Sequence, residues 1–280
     1  MFLSLVVVFL VQWIKCIGGV TSIAMMNGKY LPSKDTYNNP MLFMNETLRL
    51  FRKDFLSASA AGSVLIITPE FALSSPTWLN SCKSPQLRTA WCPTLPSNLS
   101  CTTSASPSSF SSSSYYEKIA CLAKETNISA AVNLCEGDDN GTNWNTQAIF
   151  TSNGTLLTKY RKMHPYKSKC FQKPLALELV TFHLPSLPFQ MGIFTCKDIL
   201  FKTPSKNLYD GGTRHFVYSS AIPLVGNLVK KEWSKIYANS YLMASDSDVK
   251  DSGVYHNGNK IISNTLNNGT VVLWNAGLLV

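Results

Sequence analysis

The 280-residue chain is 45% hydrophobic and 15% charged, which excludes an intrinsically disordered protein and leaves room for one large domain or two small ones. Its formal net charge is +9. The basic residues gather at 159–173, 197–206 and 230–235 without an aromatic-interleaved or helix-turn-helix pattern, so solvated faces are expected and a nucleic-acid partner is not.

An apolar run from Phe2 to Val11 opens the chain. It is too short to span a bilayer and is followed by small residues around Gly18 to Ser22, so residues 1–22 read as a secretory signal peptide and 23–280 as the mature domain. No further transmembrane segment is expected. Acceptor sequons at Asn45, Asn98, Asn127, Asn140, Asn153 and Asn268 also point to export and glycosylation. Setting Cys16 aside with the signal leaves Cys82, Cys92, Cys101, Cys121, Cys135, Cys170 and Cys196. An odd count in a secreted chain predicts one free thiol beside three disulfides, whose pairing the spacing does not specify.

Residues 41–61 place Leu42, Leu48, Phe51, Phe55 and Leu56 at helical spacing, with Gly62 as the stop. Ser63 to Thr68 reads as a strand covered on both faces, ending in Pro69-Glu70. Residues 74–114 are rich in Pro, Ser and Cys and read as a surface insertion, tied by disulfides at first and serine-rich at its end. A helix is expected at Tyr115–Thr126 and a strand at Ile128–Leu134. Asn145 to Lys162 reads as a hairpin about Asn153-Gly154, the strongest two-residue turn signal. Strands follow at Val180–Leu184 and Gln190–Cys196, then a helix at Pro204–Asp210 and a strand at His215–Ser220. Lys230 to Met243 reads as a helix with Trp233, Ile236, Tyr237 and Tyr241 on one face, and a closing hairpin runs from about Gly253 to Leu273. Strands alternating with helices describe an α/β domain, although the pattern leaves the sheet topology open.

Glu70, Lys162 and Cys196 each sit at the end of an expected strand, where open α/β sheets place their sites. In such a site the glutamate takes the thiol proton, the thiolate attacks, and the lysine stabilises an oxyanion with a backbone N–H beside the cysteine. The bland readings are weighty: a strand-end lysine is usually solvated, and a lone cysteine is usually a small buried hydrophobe or half a disulfide. His164, His183, His215 and His256 are scattered without metal-ligand spacing, and no Gly-rich loop follows a strand, so neither metal nor cofactor is expected. A cysteine–histidine pair with His164 or His215 remains open at this level.

The segments VLIITPE, CLAKETNISAAVN, WNTQAIFTSNGTLLTKYRK, LELVTF and GIFTCKDILF, with KKEWSKIYANSYLMAS and SGVYHNG after them, resemble in order the vanin and biotinidase branch of the carbon–nitrogen hydrolase (nitrilase) superfamily. The resemblance implies a four-layer α-β-β-α sandwich and a Glu70–Lys162–Cys196 triad. It also implies hydrolysis of a linear small-molecule amide: pantetheine, giving pantothenate and cysteamine, or biotinyl-lysine. The chain departs from the family in three places. His164 to Cys170 lacks the family's second glutamate, Lys197 stands where an aromatic is usual, and Ala221-Ile222-Pro223 lacks a tryptophan expected near the pocket. Nor do these 280 residues contain the family's additional C-terminal domain or a GPI-type tail. A secreted pseudoenzyme that binds a ligand or partner is the alternative that the missing carboxylate motivates.

Overall fold

The run Ser63–Ile67 has no polar residue on either face after its first position, so it folds only where both faces are covered. In the computed structural model, which describes residues 21–28, 30–81, 90–102, 114–166, 169–248 and 250–276, this run is strand β2. Ile66 packs under Phe51 and Phe55 of helix α1 (Pro40–Ala60), while Leu65 and Ile67 face a second sheet. Two further elements of this half precede and follow it: β1 (Ser22–Met26) and the short α2 (Pro76–Ser81).

Helix α3 (Ser114–Thr126) leads into β3 (Ser129–Gly137), β4 (Asn143–Phe150) and β5 (Leu156–Arg161). The second half contains β6 (Thr181–His183), β7 (Gln190–Thr195), α4 (Ser205–Asp210), β8 (His215–Ser220), α5 (Gly226–Ile236) and β9 (Tyr241–Asp246). Four short strands close the chain: β10 (Gly253–His256), β11 (Asn259–Ile261), β12 (Asn264–Leu266) and β13 (Val271–Asn275).

One sheet runs β12-β13-β1-β2-β3-β4-β5 and the other β11-β10-β9-β8-β7-β6. Each has a parallel trio at its centre (β1, β2, β3 and β7, β8, β9) with antiparallel strands outside it. Helices α1 and α3 cover the outer face of the first sheet, and Trp233 of α5 packs on Phe194 and Phe216 of the second. The architecture is the expected α-β-β-α sandwich. At one end small hydroxyls bridge the sheets: Ser219 donates to the Thr68 carbonyl at 2.6 Å and Ser245 to that of Met26 at 2.6 Å.

Several elements differ from the sequence reading for local reasons. The expected helix over Lys230–Met243 begins earlier, at Gly226, and stops at Ile236, because Asn239 takes a left-handed turn (φ 61°) into β9. Ile236 is therefore exposed, and Tyr241 sits on a strand. The closing hairpin is two hairpins on different sheets, β10–β11 and β12–β13. The Asn153-Gly154 turn is a five-residue loop, Thr151–Thr155, closed by Thr151 bonding to Thr155. Gly154 is required there: its φ is 84°, and an added Cβ would lie 2.9 Å from Cys101 Cβ.

The stretch 74–114, expected on the surface, buries Trp78, Trp91 and Leu95 in the core under α1. Disulfides Cys92–Cys135 and Cys101–Cys121 tie it down, and Cys170 is also disulfide-bonded. Residues 1–20, Cys82 and most of the serine tract lie outside the described residues. Lys230, expected on a solvated face, is wholly buried against Asp246 and donates to the Asp251 carbonyl at 3.2 Å. Among the described residues no helix is long and apolar enough to cross a membrane.

Burial, the largest cause in each case, holds the phenols of Tyr30, Tyr115, Tyr116, Tyr160, Tyr218 and Tyr255 above their ordinary pKa. A raised folded-state pKa contributes stability that is complete below the unfolded value and is lost above it. The unfolded phenol ionises near pH 10. The thermal midpoint should therefore hold steady from this source up to about pH 9 and fall above about pH 10. Tyrosinate absorbance from these six side chains should appear with unfolding and not before it, which a combined melting and ultraviolet titration checks.

Candidate functional site

Three chain segments end at the hydroxyl-bridged rim of the sandwich. Pro69-Glu70 follows β2, Lys162 follows β5, and Cys196 follows β7. All three side chains are buried: Glu70 is 2% exposed, Lys162 1% and Cys196 7%. Burial at this level rules out the solvated lysine that is the ordinary expectation at a strand end.

Lys162 Nζ lies 2.5 Å from Glu70 Oε1, and the same oxygen accepts from Asn145 Nδ2 at 2.8 Å. Asn145 Oδ1 in turn accepts from Asn133 Nδ2 at 2.7 Å, and Asn133 Oδ1 accepts from the Phe71 N–H at 2.8 Å. The two asparagines thus form a closed amide chain that starts and ends on the Glu70–Phe71 turn. The other carboxylate oxygen, Glu70 Oε2, is buried and carries no hydrogen bond among the described residues. Burial opposes the Lys162 ammonium, but the charges of Glu70 and Asp198, and of Cys196 once it is ionised, outweigh it and raise its pKa.

Cys196 opens a 3₁₀ turn, Cys196–Leu200, and its φ of 46° is in the left-handed region that side chains with a Cβ avoid. The strain is held by bonds on both sides of it. Tyr218 donates its hydroxyl to the Cys196 carbonyl at 2.8 Å. Two residues on, the fully buried Asp198 accepts from the Thr195 N–H at 3.1 Å, the His164 N–H at 2.9 Å, His164 Nδ1 at 2.9 Å and the Tyr160 hydroxyl at 2.8 Å. Through Asp198 the cysteine turn of one sheet is clamped to the segment leaving β5 in the other, two residues beyond Lys162.

Cys196 is the free cysteine among the described residues. Burial raises its thiol pKa most, Glu70 raises it further, and Lys162 together with the Ala221 backbone N–H lowers it. At neutral pH the sulfur therefore holds its proton until a base takes it. Glu70 and Cys196 both line a cavity of about 820 Å³, walled by Leu31, Phe71, Leu79, Leu200, Ile222 and Pro223. An apolar cleft of this size with a few convergent polar groups suits a small organic ligand.

Residues 24–242 match the carbon-nitrogen hydrolase family. The chain belongs to that family. Its relatives put it in the branch that holds the vanins and biotinidases. It is 27% identical to biotinidase of Homo sapiens over 227 residues, covering 72% of this chain and 40% of that protein. To pantetheinase of Mus musculus it is 26% identical over 234 residues, covering 70% and 43%. The chain thus spans about two fifths of the length of these relatives. Among solved structures, an amidase from Nesterenkonia sp. is similar at a TM-score of 0.66 and 14% identity, covering 91% of this chain and 90% of that one. Saccharomyces cerevisiae Nit3, a member of branch 10 of the nitrilase superfamily, is similar at 0.63 and 16%, covering 91% and 89%. The two structures share the fold.

Relative to this carbon–nitrogen hydrolase pattern, the departure after Lys162 has a visible counterpart. No carboxylate lies in His164–Cys170, yet Asp198 lends the lysine a second negative charge from across the sandwich. Glu136 does not serve: it is committed to Lys159 at 2.6 Å and Arg161 at 2.6 Å, pairs that also depart from the solvated face expected for this basic cluster. His164 bonds to Asp198 and stacks on Phe201, while His215 lies at the opposite end of β8, stacked between Phe189 and Tyr241. Burial and His256 push His215 down to about 4. Neither histidine bonds to Cys196, so the open cysteine–histidine alternative is not realised.

The sequence reading did not single out Asn133, Asn145, Tyr160, Asp198 or Tyr218. Asp198 alone left a signal, as an acid two residues past a strand-end cysteine where a helix could start. Asp198→Asn keeps the shape but turns an amide donor toward two of the four donors, those that share one carboxylate oxygen. It should cost about 1.5–3 kcal/mol in urea unfolding, and Tyr160→Phe, which removes one donor, about 0.5–1.5 kcal/mol.

Proposed function

We propose that this chain is an amidase that cleaves a linear small-molecule amide through a thioester on Cys196. The observation that carries the reading is a free thiol and a carboxylate with an uncommitted oxygen lining one apolar cavity, with a buried ammonium paired to that carboxylate. Glu70 takes the thiol proton, and the sulfur attacks the amide carbonyl carbon. Lys162 and the backbone N–H of Lys197 stabilise the oxyanion. Glu70 then passes its proton to the departing amine, and the same carboxylate activates water to release the acid from sulfur. The raised thiol pKa makes the base necessary, because little thiolate forms without it.

The substrate reading rests on the relatives named biotinidase and pantetheinase. Pantetheine, cleaved to pantothenate and cysteamine, is the first proposed substrate and biotinyl-lysine the second. Both should be assayed with wild type and Cys196→Ala. Hydrolysis is expected to vanish in Cys196→Ala and to fall about 10²- to 10⁴-fold in Glu70→Gln. Lys162→Met should cost about 10²- to 10³-fold. A ligand-binding pseudoenzyme is the second reading, favoured by the missing carboxylate after Lys162. It wins if neither amide turns over in wild type although Cys196 remains a free thiol.

The proposal extends to export, with residues 1–22 as a signal peptide, 23–280 as the hydrolase domain, 74–114 as an insertion within it and the protein as a secreted glycoprotein. Asn98, Asn127, Asn140, Asn153 and Asn268 are exposed, so their sequons are open to the transferase. Asn45 is half-buried on α1, and its amide oxygen accepts from Lys118 at 2.9 Å. Protein collected from the medium of secreting cells should lose mass on enzymatic removal of N-glycans. Peptide mapping should find the five exposed sites more fully occupied than Asn45; full occupancy at Asn45 with bare loops contradicts this.

A further inference from the structure

Three charged side chains line the cavity among its described residues: Glu70, Lys197 and Asp248. Their charges are not equally available. Glu70 is paired with Lys162. Asp248 accepts the Lys250 N–H at 3.2 Å, a backbone contact that leaves its charge unpaired, and belongs to a loop organised by Asp246, so Lys197 is the one cation among these three. Lys197, half-buried and directly after Cys196, makes no ion pair among the described residues. Its ammonium is held over the ring of Phe201, 5.9 Å from the centroid, and that ring is stacked at 3.8 Å on His164. The ammonium is thus half-exposed at the cavity wall and committed to no carboxylate among the described residues, which leaves it open to an anion that enters the cavity.

We infer that Lys197 selects substrates carrying an anionic group, a carboxylate or a phosphate, within one lysine side chain's reach of the attacking sulfur. The inference deepens the amidase reading above and rests on it for the word substrate, but not for the existence of the anion site. A guanidinium-free, flexible ammonium suits a point-charge contact to either oxyanion. The chain's net charge of +9 favours encounter with such molecules.

Two alkylating probes of nearly the same shape isolate the charge. Iodoacetamide is neutral and iodoacetate carries a carboxylate; in both the sulfur forms a bond to the methylene carbon as iodide leaves, and the thiol proton passes to the base. The ratio of the iodoacetate to the iodoacetamide rate at Cys196 should fall about tenfold in Lys197→Met and be retained in Lys197→Arg. If Lys197 only eased thiol ionisation, both rates would move together and the ratio would stay; that result overturns the inference. So does loss of the ratio in Lys197→Arg as well as Lys197→Met, which would report packing instead of charge.

Amide pairs then name the anion. Succinamate against butyramide tests a carboxylate, and phosphopantetheine against pantetheine tests a phosphate. A preference of about tenfold for the anionic member of either pair, lost in Lys197→Met, supports the inference and identifies its chemistry. Turnover with no preference in either pair overturns it. Absence of all turnover in wild type, with the alkylation ratio intact, instead removes the amidase reading and leaves the anion site standing.

Discussion

A carboxylate placed wholly out of water needs several donors, and Asp198 finds four of them on two separate segments. That requirement governs the geometry of the rim. The Thr195 N–H comes from the same strand end as the cysteine, while Tyr160 and His164 flank Lys162 in the other sheet. Neither sheet can shift relative to the other without stripping donors from a buried charge. The left-handed backbone at Cys196 is therefore kept by bonds that the rest of the fold supplies.

Glu70 is held by the opposite strategy. One of its oxygens is saturated by Lys162 and Asn145, and the other is buried without a hydrogen-bond partner among the described residues. An unsatisfied buried carboxylate oxygen costs stability, and active sites are where such costs are tolerated. At the same rim, Lys230 and Asp246 repeat the pairing of buried opposite charges, with Ser220 also donating to Asp246. Ser220 and Ala221 follow β8, and Ala221 presents its N–H to the Cys196 sulfur. The second pair thus braces the backbone that faces the thiol.

Much of this was legible in residue order. Continuous apolar runs such as Ser63–Ile67 declare a strand covered on both sides, and an odd cysteine count declares a free thiol. What misled was local pattern read without its partners. Tyr241 continues the helical spacing of Trp233 and Tyr237, yet it pairs with His215 as a strand neighbour. Trp78 and Trp91 lie in a stretch whose Pro, Ser and Cys content suggests a surface, but two indoles that pack on one another and on core rings need burial more than the stretch needs water.

By itself the sequence determined the strand ends that bear Glu70, Lys162 and Cys196, because hydrophobic periodicity and the turns that end it are local properties. It also determined the departures at Lys197 and after Lys162. Only the tertiary structure decided what those departures mean. Whether a lysine lies in water or against a carboxylate depends on residues far along the chain: 92 positions separate Lys162 from Glu70, and 34 separate His164 from Asp198. The negative charge missing after Lys162 arrives from Asp198 through space, and the ammonium of Lys197 meets a cavity that six separate chain segments enclose. Long-range electrostatics and burial are set by packing, which no window of neighbouring residues contains.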